Sequence, residues 1–249
     1  LKIEIRTAGS AALALQPLII TGINHNLNVV IDGGGTWNEH ASPVCFLQNV
    51  LRPILNRFGY FFEIDILNEG FYPRGGALVN FKTKKCQLSK IDLTSKGKLK
   101  EINGWSIASE NLTEKKVAER QRESAEKILK EYFNIKPKIE YKYVRTLSPG
   151  TGLLLYLKTE NSVIGSDGIG KLGRRAEDIG KDTANNLIKE YEKGAVDQFI
   201  GDQILPYLAF AGGSVKVSEI TDHIKSNIYV IEKFLNVKFQ IENNVISVK

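Results

Sequence analysis

Apolar and polar positions change period several times along the first 86 residues. "LKIEI" alternates as a strand does, and "TAGSAALALQPLII" predicts a helix opened by a small-residue turn. "LNVVIDG" predicts a second strand. From Pro43 to Arg57, Val44, Leu47, Val50, Leu51, Ile54 and Leu55 recur at helical spacing, with Pro43 near the first turn. "YFFEIDIL" and "ALVNFK" flank the turn-rich "NEGFYPRGG" and predict a hairpin. The order is βαβαββ over residues 1–86.

A similar order returns near the C-terminus. Helical periodicity runs from about Arg174 to Glu192 and again from about Val196 to Ala211. Strand "SVKVSEI", helix "ITDHIKSNIYVIEKFL" and strands "VKFQIE" and "VISVK" follow. The ends of the two units can be superposed, Phe58–Ile64 on Leu235–Ile241, each after an amphipathic helix, so the chain carries a faint internal repeat. Between the units "KEINGWSIAS", "TEKKVAERQRESAEKILKEYF", "KPKIEYKYV" and "GLLLYLKTEN" read as an inserted βαββ module. The expected division is residues 1–86, a last repeat in two pieces (87–98 and 169–249), and the insert at 99–168. The fold class is α+β.

Composition narrows the setting. Hydrophobic residues make up 42% and charged residues 25%, as in soluble globular chains. The apolar stretch around Leu13–Ile20 is broken by Gln16 and Pro17 and falls short of the roughly 20 residues that span a bilayer, so no membrane association is expected. Cys45 and Cys86, 41 positions apart, suggest neither a zinc site nor a disulfide framework, and point to a reducing, cytoplasmic setting. A net charge of +6 suits a polyanionic partner without establishing one. The chain has no Met at all.

Of the three histidines, His223 stands where an amphipathic helix begins. Locally it reads as a solvent-facing helix-start residue. Asp222 or Thr221 would cap that helix.

Five blocks, "GGTWNEHASPVCFL", "GFYPRGG", "ENSVIGSDGIG", "DQILPYLAFAGG" and "ITDHIKSNIYVIEKFL", occur in the order of their counterparts in the RNA 3'-terminal phosphate cyclases. The chain resembles that family from end to end. Family members carry three βαβαββ repeats, the third interrupted by the insert. The resemblance therefore implies that this chain starts at the second repeat and lacks the first, with its glycine-rich stretch, metal-binding acidic residue and phosphate-binding arginines.

The resemblance makes His223 the nucleophile that takes AMP from ATP. Physical chemistry agrees: free imidazole, with a pKa of about 6.5, is a usable base at neutral pH. A helix N-terminus also disfavours imidazolium and stabilises accumulating phosphate charge. By the same resemblance the block Phe199, Ile200, Gly201, Asp202 and Gln203 contacts the nucleotide. Phe199 stands where Tyr is common and keeps a face for stacking on adenine. Asp202 would accept from the adenylate or orient the histidine ring. Pro43 and Phe46 would form the other adenine wall, with Ser42 at a position where proline is common, and Gln16 would contact the nucleotide. No metal ligand is assigned within this chain. His25 and His40 fall in no matching catalytic block and are read as turn or surface residues. Arg74, Lys82, Lys84 and Lys85 read singly as solvated surface, able to steer a phosphate backbone.

The implied function is ATP-dependent conversion of an RNA 3'-phosphate to a 2',3'-cyclic phosphate. It would run through histidine–AMP and an RNA–adenylate anhydride, with Mg²⁺ or Mn²⁺ on the nucleotide. The alternative is a non-catalytic, cyclase-like RNA-binding protein of ribosome assembly, which would lack the histidine.

Overall fold

The computed structural model describes residues 1–248, so the end of the expected strand "VISVK", Lys249, lies outside the described residues. Alternation in the first stretch produces β1 (Lys2–Ser10), and Ser10 then caps α1 (Ala11–Thr21) by accepting from the Leu13 amide. β2 (Leu27–Gly35) lies parallel to β1. β3 (Phe62–Asn68) and β4 (Leu78–Thr83) close an antiparallel pair, giving the order β1-β2-β4-β3. At Gly33, with φ of 93°, a Cβ would sit 2.1 Å from the Ile5 carbonyl oxygen, so only glycine permits this approach of β2 to β1.

The helix expected from Pro43 to Arg57 forms in three pieces: α2 (Val44–Phe46), a π-helical turn (Leu47–Leu51) and α3 (Arg52–Asn56). Pro53 has no amide to give to the Asn49 carbonyl, and its ring crowds that carbonyl. The backbone widens one turn earlier, where the Arg52 amide reaches Leu47 five residues back.

The second sheet repeats the first. β5 (Ile91–Leu93) lies parallel to β10 (Gly213–Lys216), which pairs with β12 (Val245–Val248), which pairs with β11 (Phe239–Glu242). The order β11-β12-β10-β5 matches β3-β4-β2-β1 strand for strand, in direction as well as neighbour. Phe62 and Phe239, superposed in the sequence, each open the equivalent strand. β11 and β12 are joined by Asn243-Asn244, both with positive φ, the conformation a two-residue hairpin turn requires.

The third sheet, β7-β6-β8-β9, belongs to the module inserted after β5: β6 (Leu99–Ser109), α4 (Val117–Phe133), β7 (Lys138–Val144), β8 (Thr151–Thr159) and β9 (Val163–Ile169). Beyond the three strands expected here, β9 adds a fourth from within "ENSVIGSDGIG". α5 (Ala176–Lys193), grouped in the sequence with the last repeat, packs along α4 and over β8 and β9. Burial on both faces explains why β8 reads as an almost unbroken apolar run. Leu153, Leu155 and Leu157 meet α4 and α5 in one core, while Leu154 and Tyr156 enter the core shared by the two repeat sheets. The sequence shows that α5 has an apolar stripe but not which sheet covers it.

Pro206 likewise divides the second C-terminal helix into α6 (Gln198–Gln203) and α7 (Leu205–Ala211). No helix among the described residues is long and apolar enough to cross a membrane.

Candidate active site

Where α1, α6, α8 (Asp222–Phe234) and the end of β9 converge, they border a cleft of about 830 Å³. Thr221 caps α8, accepting from the Ile224 amide at 3.2 Å, and Ile224 is the one α8 side chain fully buried. With Ile224 pinned, His223 and Asn227, four residues apart, share the face toward the cleft. Asp222 points to solvent and pairs with Lys225, so the cap is Thr221.

α6 is set by Asp197. Its buried carboxylate accepts from the amides of Phe199 at 3.1 Å and Ile200 at 2.9 Å, and from Gly165 of β9 at 2.9 Å. Burial pushes this carboxyl up to about 7 against the opposing pull of those amides. α6 then presents Phe199, Asp202 and Gln203 to the cleft. Burial pushes Asp202 up to about 6, and the nearby His223 pulls it the other way. Pro206 leaves the Asp202 carbonyl without its helical donor, and Asn227 Nδ2 of α8 reaches it at 3.5 Å. The same proline that divides the helix thus ties the two elements carrying Asp202 and His223. Gln203 Oε1 is buried without a hydrogen-bond partner.

Gln16 lies on the α1 face between Leu13 and Ile20, bordering the same cleft. The structure therefore brings together His223, Phe199, Asp202, Gln203 and Gln16. The remaining expected residues stand behind the wall. Pro43 is the buried residue preceding α2, and Phe46 is fully buried, meeting Phe199 edge-on with ring centroids 6.2 Å apart. Ile200 and Gly201 face the core, where a Cβ on Gly201 would stand 3.0 Å from both Ile224 and Val217. These four shape the wall without lining it.

Other lining residues were not singled out in the sequence. Asp167, half-buried at the end of β9, is pushed up to about 7 by burial. Lys171 and Arg174 bring positive charge, Lys171 pairing with Glu39 at 2.9 Å and Arg174 with Asp182. His40, read as a surface residue, sits on the rim in a positive-φ conformation. The block "ENSVIGSDGIG" was the available signal, but without the fold nothing in it distinguishes Asp167 from a solvated strand residue. Arg74, Lys82, Lys84 and Lys85 are not among the lining residues.

An imidazole at a helix start, an exposed ring face, amide groups and two cations make this cleft chemically suited to a nucleotide. Comparison with known proteins points the same way. The family model described as RNA 3'-terminal phosphate cyclase matches residues 1–241. Relatives named RNA 3'-terminal phosphate cyclase include one from Thermococcus gammatolerans, 38% identical over 98% of this chain and 71% of its own length. The relative from Thermococcus kodakarensis is 37% identical over 98% and 71%, and that from Methanococcoides burtonii 38% over 99% and 73%. Matched over nearly its whole described length, the chain belongs to the RNA 3'-terminal phosphate cyclase family.

Proposed function

We propose that this chain carries the nucleotidyl-transfer site of an ATP-dependent RNA 3'-terminal phosphate cyclase, with His223 as the nucleophile. The observation that carries the reading is His223 at the capped start of α8, opening onto the cleft that Phe199, Asp202 and Gln203 also line. In the first step a ring nitrogen of His223 attacks the α-phosphorus of ATP, forming a P–N bond as the bond to pyrophosphate breaks. Charge accumulating on the phosphoryl oxygens faces the positive end of α8. An oxygen of the RNA 3'-phosphate next attacks that phosphorus, breaking the P–N bond and freeing the histidine. Finally the neighbouring 2'-hydroxyl attacks the 3'-phosphorus and expels AMP. Both reacting groups sit on one ribose, so proximity needs little help, and DNA, lacking that hydroxyl, is excluded.

Phe199 offers its face to adenine, with Phe46 and Pro43 supporting the wall behind and Ile200 and Gly201 seating α6 on α8. Gln16 and Gln203 supply amide groups for the base or ribose. Asp202 orients the His223 ring. In this reading residues 1–86 and the interrupted repeat (87–98 and 169–249) hold the chemistry, and the insert (99–168) braces them.

Among the described residues no three His, Cys, Asp or Glu side chains converge as a metal cage. In this reading Mg²⁺ or Mn²⁺ enters with the ATP substrate, bound through its phosphates. Cys45 and Cys86 are both free thiols.

The test is intact mass after incubation with ATP and Mg²⁺ or Mn²⁺, on this chain and on a form extended by the N-terminal repeat expected of the family. His223→Ala is the control in each form. An AMP adduct stable to alkali, lost in acid and absent from the control supports the reading. No adduct on the extended form overturns it and favours a non-catalytic RNA-binding relative.

A further inference from the structure

A second crevice, of about 450 Å³, opens beside the His223 cleft and shares Asn38, Glu39, Ile169 and Lys171 with it. It lies where the end of β2 and the β3–β4 loop meet the start of β8, and its size falls within the range of about 300–1,000 Å³ typical of small-molecule sites. Its aromatic walls are built in. Phe71 and Trp37 lie against Gly150 and Gly152, where a Cβ would come within 2.2 Å of either ring. The loop carrying Trp37 is held by the amides of Thr36 and Trp37 donating to the Gly70 carbonyl, and by the Thr36 hydroxyl donating to buried Glu69. Tyr72, 77% exposed, and Leu172, fully exposed, line the same crevice.

We propose that this crevice, backed by Trp37 and Phe71, seats the base of the RNA's 3'-terminal nucleotide, stacked on Tyr72. The inference rests on the reading of the neighbouring cleft as the nucleotidyl-transfer site. Two features select this occupant. An exposed tyrosine in a crevice backed by buried aromatic rings offers a face on which an unpaired base stacks. Lys171, paired with Glu39 at 2.9 Å, stands in the wall common to both cavities, so a base in the crevice brings its 3'-phosphate to the wall it shares with the His223 cleft. Stacking reads the face of a base and not its edge, so the site accepts all four bases.

The experiment compares two labelled RNAs ending in a 3'-phosphate, identical except that one has an abasic terminal ribose, by fluorescence anisotropy. The wild-type chain binds the base-bearing end at least about fivefold more tightly, the lower bound for one stacked base. Tyr72→Ala brings that ratio close to one and Tyr72→Phe keeps it, while AMP-adduct formation is unchanged in both. A wild-type ratio near one, or a ratio unaltered by Tyr72→Ala, overturns the assignment. Absence of the adduct on the form extended by the N-terminal repeat, with the ratio intact, sinks the histidine reading and leaves the stacking site standing.

Discussion

The Gly165 amide donates to the Asp197 carboxylate at 2.9 Å, tying β9 of the inserted module to the start of α6. In an unfolded chain an aspartate is ionised above about pH 4. In the fold, burial pushes Asp197 up to about 7. Between about pH 4 and 7 the folded chain therefore holds a proton that the unfolded chain has released, and stability falls as pH rises across that window. Asp167, pushed up to about 7, and Asp202, to about 6, act with the same sign. Urea midpoints measured from pH 4.5 to 7.5 should decline, and Asp197→Asn should flatten that decline. A midpoint that climbs with pH throughout would contradict the raised carboxyls.

Glu177 titrates in the opposite sense. Arg120 donates to both its oxygens at 2.8 Å, joining α4 to α5, and this pairing holds the carboxyl down to about 2. A depressed carboxyl stabilises the fold above its unfolded value of about 4.3, and the contribution disappears as pH falls toward 2. Both side chains are about a third exposed, so solvent screening limits the pair to about 1 kcal/mol. Glu177→Gln is expected to cost that much at pH 7 and nothing near pH 2, with the loss shrinking in high salt. Denaturation of the two proteins at three pH values checks it.

The repeat was legible because strand alternation and helical spacing recur in the same order, and the two sheets reproduce that order with matching directions. The helical spacing runs straight through Pro53 and Pro206. What the sequence does not say is how a chain absorbs a helical proline, here by a π turn at Leu47–Leu51 and by a break at Ile204. Within the site, His223, Phe199, Asp202, Gln203 and Gln16 came from the resemblance to the cyclases. Asp167, Lys171 and Arg174 could not, because their meaning depends on β9 ending beside α8, a tertiary fact with no local signature. Phe46 reads as a nucleotide wall from the resemblance, with a core position as the alternative, and its full burial behind Phe199 needs the fold to be seen.

Phe199 tests that distinction. Phe199 is 42% exposed while Phe46 is fully buried behind it, so the two should fail differently. Phe199→Ala is expected to weaken ATP binding by about 1–3 kcal/mol, the range for one base stacked on an aromatic ring, with little change in melting temperature. Phe199→Tyr should bind as well as the wild type. Phe46→Ala should instead lower stability by about 3–5 kcal/mol, as expected for an emptied core position. Calorimetric titration with ATP, run beside thermal melts, separates the two. A Phe199→Ala chain with unaltered affinity would remove Phe199 from the nucleotide site.

The glycine beneath Trp37 gives the most local prediction. Gly152 lies in β8 with no positive φ, so alanine meets no backbone strain there. What it meets is the indole, with Cε3 at 2.2 Å and Cδ2 and Cζ3 at 2.5 Å from the added carbon. Trp37 is only 2% exposed, and at these distances the ring or the strand must shift. Gly152→Ala is expected to lose about 1–3 kcal/mol of stability, the usual cost of overpacking. Trp37→Phe alone leaves a partial cavity, but combined with Gly152→Ala it should recover part of the loss, because the smaller ring leaves room for the new methyl group. Trp37 is one of two tryptophans, so the Gly152→Ala fluorescence spectrum should move along with the melt. Strict additivity of the two substitutions would mean that Gly152 and Trp37 do not press on one another.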